Sequence, residues 1–202
     1  DPELDQMLFY LPIVGSTFKK VYFDPLLQRA VSKFVYAEDL IVPYAATDLL
    51  TSPRITHVIR MSENEVRKMQ IAGFYRDLEL PSTGSINNLS QIQETVDDIQ
   101  GTQPSSISEE LTVYEVHTNL DIEGFEDMGA DGEPSGLKLP YIVTILKDTS
   151  EILAIRRNFD EADIMKRQKQ YFIHYKFLPG LGFYGFGLTH MIGGLAQAST
   201  SL

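Results

Sequence analysis

Arg54-Ile-Thr-His-Val-Ile-Arg-Met61 alternates with a period of two, placing Ile55, His57 and Ile59 on one side and Thr56, Val58 and Arg60 on the other. That is the signature of a strand with two unlike faces, and comparable segments recur along the chain. Residues 17–23, 31–36, 40–42, 111–120, 141–146, 152–157 and 171–177 read as strands, punctuated by Asp24-Pro25, Glu38-Asp39, Pro43 and Pro179. Segments 141–146 and 152–157 form a hairpin around Asp148-Thr-Ser-Glu151. Strands that follow one another without helical crossovers pair mainly antiparallel, so the expected fold class is α+β with a few peripheral helices and a C-terminal helix.

The first third reads as strands and turns. Ser62-Glu-Asn-Glu65 is a capping box, in which hydroxyl and carboxylate each satisfy an orphan amide; with Val66, Met69 and Ile71 before Gly73 it predicts a three-turn helix. A second, solvated helix is expected between Leu89 and Ile99, with Ser90 and Gln93 as its box and Gly101 past its end. A Pro/Ser/Thr/Gln connector covers 101–108, and an apolar helix starts at about Leu188. The expected organisation is an α+β body over residues 1–178, then a Gly/aromatic turn and the start of a helix over 179–202. The chain starts without methionine and stops inside that helix, which reads as a piece of a larger polypeptide.

Composition removes several function classes. The chain has 202 residues and no cysteine, which excludes disulfide scaffolds, thiolate metal sites and cysteine nucleophiles. A net charge of −11 repels phosphate backbones, so duplex binding by charge neutralisation is not expected. No apolar run approaches the ~20 residues a bilayer requires, and no membrane association is expected.

Pro179-Gly-Leu-Gly-Phe-Tyr-Gly-Phe-Gly187 is the loudest motif, since Gly180, Gly182 and Gly185 satisfy G-x-G-x-x-G between a strand and a helix. Its dinucleotide reading lacks a βαβ context, has Pro179 breaking the strand, and finds no acid downstream for a ribose. The alternative function, a nucleotide-binding enzyme domain using Gly180 to Gly187, rests on this motif alone. The structural reading takes the glycines as a tight bend anchored by Leu181, Phe183, Tyr184 and Phe186 in a core or against a neighbouring subunit.

Other motifs carry less. Across the acidic loop 121–136 an EF-hand register starting at Asp127 meets Gly129 at position three and Lys138 at position twelve, where carboxylates are required. His57, His117 and His174 fall singly in strands, and none of the four histidines, His190 included, has metal-ligand spacing to another. No G-x-S-x-G elbow appears. Lys166-Arg-Gln-Lys169, near Arg156 and Arg157, follows Asp160, Glu161 and Asp163 and reads as a turn with compensating charges. Neither a catalytic residue, a cofactor nor a metal is expected.

The string Tyr171-Phe-Ile-His-Tyr-Lys-Phe-Leu-Pro-Gly-Leu-Gly-Phe-Tyr-Gly-Phe-Gly-Leu-Thr-His-Met-Ile-Gly-Gly-Leu195 resembles the portal proteins of tailed, P22-like bacteriophages. Val21-Tyr-Phe-Asp-Pro-Leu26, Ala37-Glu-Asp-Leu-Ile-Val-Pro-Tyr44, Arg54-Ile-Thr-His-Val-Ile-Arg60 and Gly136-Leu-Lys-Leu-Pro-Tyr-Ile-Val-Thr144 are similar too, so the resemblance spans most of the chain. It implies a structural, non-enzymatic subunit, here a piece of the β-rich wing. In that family rings, commonly dodecameric, sit at one capsid vertex and DNA passes through without sequence-specific binding. The implied partners are other portal subunits, terminase, capsid and neck or tail proteins; the implied location is the virion, with assembly in the host cytoplasm. Tyr171, Phe177, Leu181, Phe183, Tyr184 and Phe186 are the residues expected to pack or to touch a neighbouring subunit.

Overall fold

A computed structural model describes residues 1–24, 27–81, 110–129 and 131–200. The helix expected between Leu89 and Ile99 and the connector at 101–108 lie outside the described residues. Two antiparallel sheets and three α-helices are present among them, so the α+β expectation holds. By contact density the chain divides into two units. One comprises Asp1–Val58, Val116–Ile142 and Arg156–Leu202; the other comprises Ile59–Glu115 and Val143–Ile155.

The first unit opens with a helix that the sequence reading did not contain. Helix α1 (Pro2–Val14) is capped by Asp1, whose carboxylate accepts from the Glu3 amide at 3.2 Å, with Pro2 in the first turn where its missing N–H costs nothing. Gly15 closes it in the left-handed conformation, and its N–H donates to the Leu11 carbonyl at 2.9 Å. Two features hid this helix. Apolar residues lie all round it, so no stripe of period 3.6 stands out, and Pro12 sits inside it where proline ordinarily breaks a helix.

Strands β1 (Ser16–Asp24), β2 (Arg29–Val35) and β8 (Phe172–Lys176) form a sheet ordered β2-β1-β8. Phe18 is opposite Val35 on one side and His174 on the other. Pairing with β8 stops at Lys20, and burial along β1 stops there too: Ser16 to Lys20 are buried, whereas Val21 and Phe23 are exposed. On the outer edge, the Phe34 N–H donates to the Glu3 carboxylate at 2.6 Å, so α1 occupies a backbone donor that would otherwise invite another strand. Tyr10 adds ring contacts to Phe34 and Tyr36 at 5.9 and 5.2 Å. The core of this unit gathers Phe18, Val35, Leu40, Ile55, Phe172 and Phe183, and a smaller cluster joins Leu139, Tyr141 and Phe159.

The second sheet runs β3-β4-β5-β6-β7, with β3 (Leu40–Ile41), β4 (Arg54–Ser62), β5 (Glu110–Leu120), β6 (Leu139–Leu146) and β7 (Ile152–Arg157). All these strands fall on segments read as strands from the sequence, β4 and β5 by alternation, β3 as a short apolar run and β6 and β7 as a hairpin. In the second unit, α2 (Glu63–Ile71) carries both halves of the expected capping box: Ser62 Oγ accepts from the Glu65 amide at 3.3 Å, and the Ser62 amide donates to the Glu65 carboxylate at 2.9 Å. Val66 from α2 is fully buried with Tyr75, Leu111, Val113, Leu146 and Leu153.

Candidate functional site

The Gly/aromatic run folds as a closed loop. Leu178 and Phe186 exchange backbone hydrogen bonds, 3.2 Å from the Leu178 amide and 2.8 Å from the Phe186 amide, so residues 179–185 leave β8 and return beside it. Helix α3 (Leu188–Thr200) begins immediately afterwards. The glycines are explained by backbone that passes within contact of backbone. A Cβ on Gly187 would lie 2.3 Å from the Ile13 carbonyl oxygen, and one on Gly185 2.6 Å from the carbonyl oxygens of both Gly15 and Leu178. Gly15, at φ +88°, returns the constraint: its Cβ would sit 2.3 Å from the Gly187 nitrogen. The end of α1 and the end of the loop therefore cross with no room for a side chain on either.

This geometry bears on the dinucleotide reading. The space against Gly180 is filled by the Tyr184 carbonyl oxygen, 2.2 Å from where a Cβ would stand, and the space against Gly185 by Gly15 and Leu178. What departs from a dinucleotide-binding turn is the surrounding topology, since β8 enters from an antiparallel sheet and not from a βαβ unit. Gly182 alone of the three fingerprint glycines faces open space.

A buried polar relay holds the crossing. The Gly185 N–H donates to Ser16 Oγ at 2.8 Å, and Ser16 Oγ lies 3.1 Å from His174 Nε2. Because the hydroxyl oxygen accepts from Gly185, its hydrogen is left to donate onward, and it reaches an acceptor when the imidazole is neutral with its proton on Nδ1. The ring contacts Phe18 at 4.4 Å and Phe183 at 4.8 Å, and those two rings meet each other at 6.0 Å, so the three form a cluster. Burial among these rings, and secondarily the Lys176 ammonium, pull the His174 pKa down to about 4, so neutrality is its ordinary state. A serine and a histidine in contact resemble part of a hydrolytic dyad, but Ser16 is buried and its oxygen already serves Gly185.

The six residues singled out in the sequence separate into two groups. Phe183 is buried against both Phe18 and His174, and Tyr171 packs on the same core with an edge contact to His117 at 5.7 Å. Tyr184, Phe186, Phe177 and Leu181 are exposed to different degrees, with Leu181 wholly in solvent at the loop tip. Tyr184 rests edge-on against Phe183 at 5.0 Å, and burial raises its phenol above the ordinary tyrosine value. Phe186 packs edge-on against His190 at 5.8 Å, and the Phe177 amide donates to the Gly15 carbonyl at 3.0 Å. Sequence reasoning missed the other half of the crossing, Gly15 and Ser16. The available signal was a glycine followed by a serine at the end of the apolar stretch Leu11-Pro-Ile-Val14.

The remaining motifs are placed as follows. His117 is buried, and it and His57 meet the Phe172 ring edge-on at 5.3 and 5.5 Å. Among the described residues no group of three or more His, Asp or Glu side chains is gathered as a metal would require. In the acidic loop, Asp127 accepts from the Ser135 hydroxyl at 2.8 Å, and Met128 pairs with Pro134 across a short bridge. The basic cluster is compensated: Arg157 pairs with Glu161, Arg167 with Asp163 at 3.0 Å, and Lys166 Nζ donates to the Glu161 carbonyl at 2.8 Å. No protein-family model matches the chain, and no curated protein matches it.

Proposed function

We propose that this chain is part of a structural subunit of a phage portal ring, the conduit at a capsid vertex through which DNA is packaged and ejected. The reading rests on the resemblance carried by residues 171–195, and one observation supports it. In the most portal-like string Gly180, Gly185 and Gly187 lie against backbone and the aromatics divide between core and surface, which we read as a mechanical joint. A joint of that kind suits a subunit that transmits load between a β-rich body and a helix. The net charge of −11 suits a conduit, since an acidic surface repels the DNA that must slide past it. In this reading the protein works without catalysis or cofactor; its partners are further portal subunits and, in the assembled particle, terminase, capsid and neck or tail proteins. It resides in the virion after assembly in the host cytoplasm.

The test is negative-stain electron microscopy of the longest natural polypeptide that contains this chain. Rings with a central channel wide enough for duplex DNA are the expected result. Monomers or dimers at every concentration would remove the reading.

A further inference from the structure

Helices α1 and α3 adjoin where the Thr189 hydroxyl donates to the Ile13 carbonyl at 2.7 Å. Together they leave an apolar face in water. Phe9 is 67% exposed, Met191 56%, Leu8 54% and Ile192 54%, and Ile13 and Leu188 are exposed to a lesser degree. Helices apolar on every side are ordinarily covered. These six side chains leave on the order of 600 Å² of apolar surface exposed, at the upper end of what a monomer shows and near the ~800 Å² each partner gives to a standard interface.

Charge selects the occupant. Residues 177–202 are 26 consecutive positions without one Asp, Glu, Lys or Arg, in a chain whose net charge is −11. Two copies of such a chain repel each other over most of their surfaces and can approach closely along α3, which carries no charge; the acids of α1, Glu3 and Asp5, stand in its first turn, away in sequence from Phe9 and Ile13. A basic partner would be drawn to the acidic surfaces instead. Gly193 supplies an independent reason. Among the described residues a Cβ there would meet nothing within 4 Å, so no contact among them explains a glycine inside a helix, where it costs about 1 kcal/mol relative to alanine. Close approach by a second backbone does explain it.

We propose that the α1–α3 face is a docking surface for a second copy of this chain. It adds α1, which the sequence reading did not contain, to the contact region. The proposal names the subunit contact of the portal reading and to that extent rests on it. The chain has no cysteine, so Met191→Cys is a clean probe, and Thr149→Cys, exposed on the β6–β7 turn, is its control.

Sedimentation velocity of the 202-residue chain over a wide concentration range is expected to show reversible self-association that strengthens with salt, as like-charge repulsion is screened. Met191→Glu and Phe9→Glu should each weaken it at least tenfold with unchanged circular dichroism. A bismaleimide should link the Met191→Cys chain into dimers and leave the Thr149→Cys chain largely monomeric. A chain that stays monomeric throughout, or charge variants that associate like the parent, would overturn the proposal. Rings of the longer polypeptide that survive Met191→Glu would overturn this face and leave the portal reading standing. Association abolished by Met191→Glu, in a longer polypeptide that forms no rings, would remove the portal reading and keep the face.

Discussion

Protonation of His174 should weaken the fold by an amount that one substitution can isolate. In the folded chain its pKa is pulled down to about 4 by burial first and by Lys176 second, against 6.5 for the unperturbed group. Above pH 6.5 neither the folded nor the unfolded chain holds the proton, and the residue contributes nothing to pH dependence. Between pH 6.5 and 4 the unfolded chain takes the proton and the folded chain does not, so stability falls as pH falls; below about 4 both are protonated and the loss is complete. A shift of that size corresponds to roughly 3 kcal/mol for a fully enclosed group. The ring is only partly withdrawn from water, and solvent screening reduces the expected loss to about 1–2 kcal/mol. The relay gives the same sign: a protonated Nε2 would donate to Ser16 Oγ, which already accepts from Gly185, and the buried hydroxyl hydrogen would lose its acceptor. The assay is urea unfolding followed by circular dichroism from pH 7 to pH 4, for the parent and for His174→Gln. The amide keeps an acceptor for Ser16 and does not titrate. Carboxylates common to both chains cancel in the difference, so the parent should lose about 1–2 kcal/mol more than the variant across this window. Parallel curves would refute the reasoning.

Four further substitutions test the packing. Gly187→Ala drives a methyl into the Ile13 carbonyl and should cost about 3 kcal/mol or more, whereas Gly182→Ala faces open space and should stay within about 0.5 kcal/mol; thermal melts of the two decide it. Val66→Ala opens a cavity in the second unit and should cost about 2 kcal/mol by denaturant titration. Glu3→Ala returns the Phe34 N–H to an open sheet edge; a loss of about 1–2 kcal/mol is expected, with faster aggregation seen by light scattering.

The strands were legible because their signal is local. Residues 54–61 carry both faces of β4 in eight consecutive letters, and the box at Ser62 and Glu65 announces α2 in four. Helix α1 was illegible for a physical reason: its exposed face is as apolar as its buried one, and periodicity detects only the difference between faces. The sequence marked the six aromatic and aliphatic positions from Tyr171 to Phe186 as one segment, and nothing local divides them into a buried and an exposed group. What separates Phe183 from Leu181 is the ring of Phe18, a residue far away in sequence.

The same non-local logic governs the glycines. Read along the chain, Gly180, Gly182 and Gly185 form a phosphate-binding spacing; read through space, Gly185 belongs with Gly15 and Gly187, and Gly182 belongs with nothing. Spacing in sequence measures what a segment can do for a ligand only when its backbone is free to meet one. Here Gly15 and the loop occupy each other, and a residue larger than glycine on either strand of the crossing must move the backbone of the other. That makes the crossing a coupled pair. The cost of Gly15→Ala and Gly187→Ala together should fall well short of the sum of the two alone, because the first substitution already displaces the backbone that the second would strike. Simple additivity in a double-mutant cycle would mean that the two chain ends do not meet in solution.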